Sequence, residues 1–190
     1  MSILESKASP INLRDIFGLM PKHAERIVRY YEDVLRGPSP LTSGERELIY
    51  TYCAALNRCH YAYTSHKACA LALGISQRCF APEPRGVNLA GVPARLRPIL
   101  SFARKLTMSP GRVQAADSSA IYRAGWSEQA IIDTIVVTSL ANWISRILNG
   151  FSASAPDEHH ERAGGKLAEG GYLPVAAELR RQLRKARTQR

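Results

Sequence analysis

The chain has 190 residues, 45% of them hydrophobic and 22% charged, which suits one soluble globular domain with its own core. No run of 18 or more apolar residues is present, which argues against a membrane span, and four cysteines without a CxxC pair argue against a zinc or disulfide framework. Half of the net charge of +10 lies in residues 176–190, where six basic side chains accompany one acid, so a solvated or packing tail is expected rather than a nucleic-acid reader.

The start, "MSILESKASPINLRD", lacks a basic region followed by an apolar one, so a cytoplasmic protein with free thiols is expected. From Met20 to Arg36 apolar residues recur at helical intervals, and "GPSP" ends the run. Thr42 or Ser43 is placed to cap a second helix containing Glu45 and Glu47, and Asn57 marks its break. A third helix is predicted from about Cys59 to Leu73, stopping at Gly74.

"CFAPEPRGVNLAGVPA" reads as a connecting loop. Helices are predicted over 94–107, restarting at Pro98, and over 111–124, with Val113, Ala116 and Ile121 in the core. A long helix follows, capped by Ser127 and stopped at Gly150; its apolar residues cover more than one stripe, as in a central or interface helix. Trp126 is expected to staple its start and Trp143 to pack in the core or an interface. Residues 152–172 are polar and Gly-rich and predict a linker. The fold class is therefore all-α: a helical domain over 1–155, then a polar linker and basic segment over 156–190.

One stretch carries chemistry. In "NRCHYAYTSH", Cys59 and His66 are seven residues apart and share a helical face. A cysteine in the first turn of a helix feels the positive dipole end, which favours its thiolate. Two helical turns are too far for direct contact with His66, and position 62, where Ala62 stands, lies between. His60 is expected to face solvent, and His159 and His160 to lie in the polar loop with no third metal ligand nearby.

The run "VLRGPSPLTSGERELIYTYCAALNRCHYAYTSH", with "FARKLTMSP" and "AGWSEQAIIDTIVVTSLANWISRILNG", closely resembles the peroxidase-related, alkylhydroperoxidase-like branch of the AhpD-like, carboxymuconolactone decarboxylase superfamily, over about residues 25–153. The resemblance implies an AhpD-like helical bundle and a homo-oligomer, often a trimer or hexamer. It also implies a thiol-dependent oxidoreductase site in which Glu47, Cys59, Tyr61 and His66 match family positions. In that family two cysteines form a redox disulfide, the second being the peroxide-attacking one, and Ala62 stands in its place. Ser65 replaces a frequent histidine, and Asn142 and Arg146 keep two positions of an "N-x-x-N-R" motif whose second Asn is Ser145.

Three functions stay open. Cys59 could act as a one-cysteine peroxidase on an organic hydroperoxide, with an external thiol as reductant. Glu47 and His66 could instead form an acid/base pair for a small carbonyl compound. The third is a catalytically silent oligomer that uses its cavity or its basic tail for binding. None calls for a cofactor, a metal, nucleic acid or a membrane.

Overall fold

The computed structural model describes residue 4, residues 10–81 and residues 86–188. The remaining start of the chain, four residues of the predicted connecting loop and the last two of the basic segment lie outside the described residues. Nine α-helices are present among the described residues: α1 (Leu13–Leu19), α2 (Pro21–Arg36), α3 (Ser43–Leu56), α4 (His60–Ala72), α5 (Arg97–Met108), α6 (Ala115–Arg123), α7 (Glu128–Gly150), α8 (Asp157–Gly170) and α9 (Leu173–Thr188). The only strands described are β1 (Phe80–Ala81) and β2 (Gly86–Val87), a two-residue antiparallel pair in the connecting loop.

Local chemistry explains the boundaries. Thr42 caps α3, accepting from the Glu45 amide while the Glu45 side chain returns to the Thr42 amide. Asn12 and Asp15 make the same reciprocal cap on α1. Ser127 caps α7, and Trp126 before it is buried with its indole N–H donating to the Arg95 carbonyl at 2.7 Å. Helix α5 starts at Arg97 with Pro98 in its first turn, where a missing N–H costs nothing.

Helix α3 is the centre, buried continuously from Arg46 to Ala54 and packed against α4, α5 and α7. Helix α7 is long and apolar enough by composition to cross a membrane, yet half of its apolar window is buried inside this domain. It is thus the core helix expected from its pattern, with Val137, Ala141 and Ile144 inside. Trp143 is not in the core: at 43% exposure it joins Ile132 and Ile135 on an outer stripe. Ala116 is also exposed, because the short α6 buries only Ile121 fully.

The predicted linker needs the largest correction. Residues 157–170 form α8, which lies along α4. Gly164 permits contact rather than mobility: a Cβ there would come within 2.5 Å of the Ala68 Cβ and 2.7 Å of the Cys69 amide. Only a residue without Cβ lets the helices approach so closely. His160 is correspondingly fully buried on α8 rather than in a loop. Helix α9 then returns against α2.

Candidate active site

Glu47 is wholly buried on α3, and three groups from three other segments converge on its carboxylate. His66 of α4 places Nδ1 2.6 Å from Oε2. Arg36, the last residue of α2, places Nη2 2.8 Å from Oε1, and the Tyr172 hydroxyl donates to the same oxygen at 2.9 Å. Burial alone would raise the Glu47 pKa, but the charges and hydrogen bonds of His66 and Arg36 outweigh it and hold the carboxyl at about 2. An ionised carboxylate only accepts, so His66 Nδ1 is the donor of this hydrogen bond and Nε2 is the ring nitrogen that Glu47 leaves unengaged. His66 is 7% exposed and lines a cavity of about 420 Å³, so Nε2 is the nitrogen available to a bound molecule.

Aromatic rings fix the imidazole. Tyr50 stacks on it with centroids 3.6 Å apart, and Tyr31 lies beyond at 6.2 Å. The Tyr31 and Tyr50 hydroxyls hydrogen-bond each other at 2.5 Å, and burial raises both phenol pKa values, keeping the pair neutral. His66 is therefore oriented by Glu47 at one edge and by rings on its face.

The cavity lies between α1, α2, α3, α4, α7, α8 and α9, and its wall is overwhelmingly apolar. Ala62, Ser65 and His66 of α4 contribute to it side by side, as do Tyr31, Tyr50, Tyr61 and Tyr172. Cys59 does not line it. It is the N-cap of α4, 1% exposed. Burial raises the Cys59 pKa, against the thiolate expected at a helix start, and the Ala62 amide and Ser145 hydroxyl beside the sulfur oppose it in part. Cys53, Cys69 and Cys79 are also free and buried, and all three thiol pKa values are raised, chiefly by burial.

The other residues singled out by sequence have distinct places. Tyr61 accepts from the Leu13 amide at 3.3 Å, tying α1 to the cavity, and its hydroxyl is 3.4 Å from His159 Nε2. Ser65 Oγ is 2.7 Å from Nδ1 of the buried His160. Asn142 and Arg146 clamp the break between α3 and α4: Asn57 donates to Asn142 Oδ1 at 2.8 Å, and Arg146 donates to the Asn57 side chain at 3.3 Å. That clamp holds Arg58 at a φ of 52°, in the left-handed region that turns the chain into α4. His60 is exposed as expected, and no group of three metal-ligating side chains occurs among the described residues.

Residues 21–79, the segment carrying Arg36, Glu47, Cys59 and His66, match the model of the carboxymuconolactone decarboxylase family. An uncharacterized peroxidase-related protein from Silicibacter sp. TM1040 is 26% identical, with 73% of each chain covered and a TM-score of 0.66. The fold is AhpD-like. The alkylhydroperoxidase AhpD core of an uncharacterized peroxidase-related protein from Ralstonia eutropha JMP134 shares this AhpD-like fold, at 22% identity, 78% coverage of each chain and a TM-score of 0.66. No curated protein sequence matches the chain.

Sequence reasoning missed Arg36 and Tyr172. Arg36 reads as a helix-terminal surface cation, and Tyr172 falls in the stretch that looked like linker. Tyr172 carried no signal, since its role exists only because α8 and α9 fold back over the site.

Proposed function

We propose that this AhpD-like domain is a proton-transfer enzyme acting on a small, largely apolar carbonyl compound, without a thiol in the reaction. One observation carries the reading: His66, oriented by buried Glu47, borders the cavity while Cys59 does not. His66 Nε2 removes a proton from the carbon next to the carbonyl, and the resulting enolate is reprotonated from the same nitrogen. The imidazolium formed between these steps is stabilised by Glu47 through Nδ1, and Arg36 and Tyr172 hold the carboxylate in place. The apolar wall lowers the local dielectric, which strengthens each of these interactions.

The experiment is a screen of small keto acids, esters and lactones in D2O, with solvent deuterium incorporation followed by proton NMR. Turnover that disappears in His66→Gln supports the proposal; incorporation equal in His66→Gln and wild type contradicts it.

A second reading has its own support. The Ala62 amide and Ser145 hydroxyl beside the Cys59 sulfur favour its thiolate, in keeping with one-cysteine peroxidase chemistry. Cys59 would attack a hydroperoxide to give a sulfenic acid and an alcohol, and two external thiols would reduce the sulfenic acid back to the thiol, leaving as their own disulfide with one water. Peroxide consumption with dithiothreitol, lost in Cys59→Ser, would favour this reading over the first. The exposed Ile132, Ile135 and Trp143 stripe supports assembly into a homo-oligomer in either case.

A further inference from the structure

The cavity is lined by buried and by exposed side chains, and their charges differ. His66 is nearly buried against Glu47, whose charge is answered by Arg36. Much of the wall is hydrocarbon and ring, including the buried Phe17, Val28, Ile144, Leu148 and Leu179. Two further lining residues are exposed cations from different helices, Arg14 of α1 and Lys166 of α8. Neither is in an ion pair among the described residues. Glu178, the one acid on the wall, is paired with Arg181. An apolar slot with two uncommitted cations suits an amphiphile entering tail first, since its head group keeps water and gains both cations while its tail leaves water.

We propose that the cavity binds a small amphiphile with an anionic head group held by Arg14 and Lys166 and an apolar body reaching toward His66. This names the substrate class of the site described above and rests on that reading only for what happens at His66. The anionic head also sets direction: it anchors the outer end and leaves the inner part of the body beside Nε2.

Isothermal titration calorimetry with octanoate, octyl phosphate, octanol and hexanoate tests it. One or both octyl anions should bind about tenfold more tightly than octanol, and the tighter of the two identifies the head group. Shortening octanoate to hexanoate should weaken binding about tenfold, because two fewer methylenes are buried. The variant Arg14→Gln/Lys166→Gln, changed only at exposed side chains, should bring octanoate down to the level of octanol, and Ala163→Trp should weaken every ligand by filling the slot. Octanol binding as well as both anions, octanoate unaffected by the double variant, or no binding of either anion at millimolar concentration would overturn the proposal. His66→Gln should retain octanoate binding within about threefold. If it does so and still incorporates deuterium, the proton-transfer reading fails while the ligand class stands.

Discussion

At the scale of single residues, Glu47 is the organising group. A carboxylate with no access to water persists only where its lone pairs are filled, and here His66, Arg36 and Tyr172 fill them. Removing it in Glu47→Ala leaves the Arg36 guanidinium facing a dry space and should destabilise the fold by about 3–5 kcal/mol, measured by urea unfolding. Tyr172→Phe keeps the ring and loses one hydrogen bond to a charged acceptor, so about 1.5–3 kcal/mol is expected. The pH dependence has a defined sign. The carboxyl sits at about 2 against an ordinary value of 4.5, so its contribution is complete above pH 4.5 and fades as pH falls toward 2. Unfolding free energy should therefore drop over that window in wild type and stay flatter in Glu47→Gln.

Among the elements, α8 decides whether the site is closed. Its approach to α4 depends on Gly164, so Gly164→Ala must push the helices apart and should cost about 1–3 kcal/mol. Gly165 is the internal control: nothing lies within 4 Å of its added Cβ, and Gly165→Ala should stabilise the helix by about 0.5–1 kcal/mol. Equal effects of the two variants, read by thermal unfolding, would mean that α8 is not packed as described. The same interface buries His160 against Ser65, with Tyr61, His159 and His60 around it and Asp157 on the same helix. Burial, then the neighbouring histidines, lower the His160 pKa below 6.5, so the folded state binds fewer protons there than the unfolded chain. Stability should fall as pH drops below 6.5, and a His160→Asn variant should lose that slope.

For the whole molecule, the domain was legible in sequence wherever a local signal coincided with burial. Thr42, Asn57, Ser127 and Gly150 mark helix ends because caps and stops act within a few residues. Glu47 and His66 were found by resemblance, and their pairing follows from α3 packing on α4. What escaped reading is what depends on distant packing. The Gly pair in α8 looks like flexibility until α4 lies against it, and Tyr172 looks like a loop aromatic until α9 folds back. Cys59 shows the reverse error: the sequence places it correctly at the start of α4, yet burial, invisible locally, raises its pKa and keeps it off the cavity wall.

The central claim is that the working group is the Glu47–His66 pair and not the thiol. The most direct measurement is kcat/KM for deuterium incorporation into the best carbonyl substrate, compared between Cys59→Ser and His66→Gln. The account predicts that Cys59→Ser stays within about threefold of wild type while His66→Gln falls by about 10²–10⁴-fold. Loss of activity in Cys59→Ser, with His66→Gln much less affected, would contradict it.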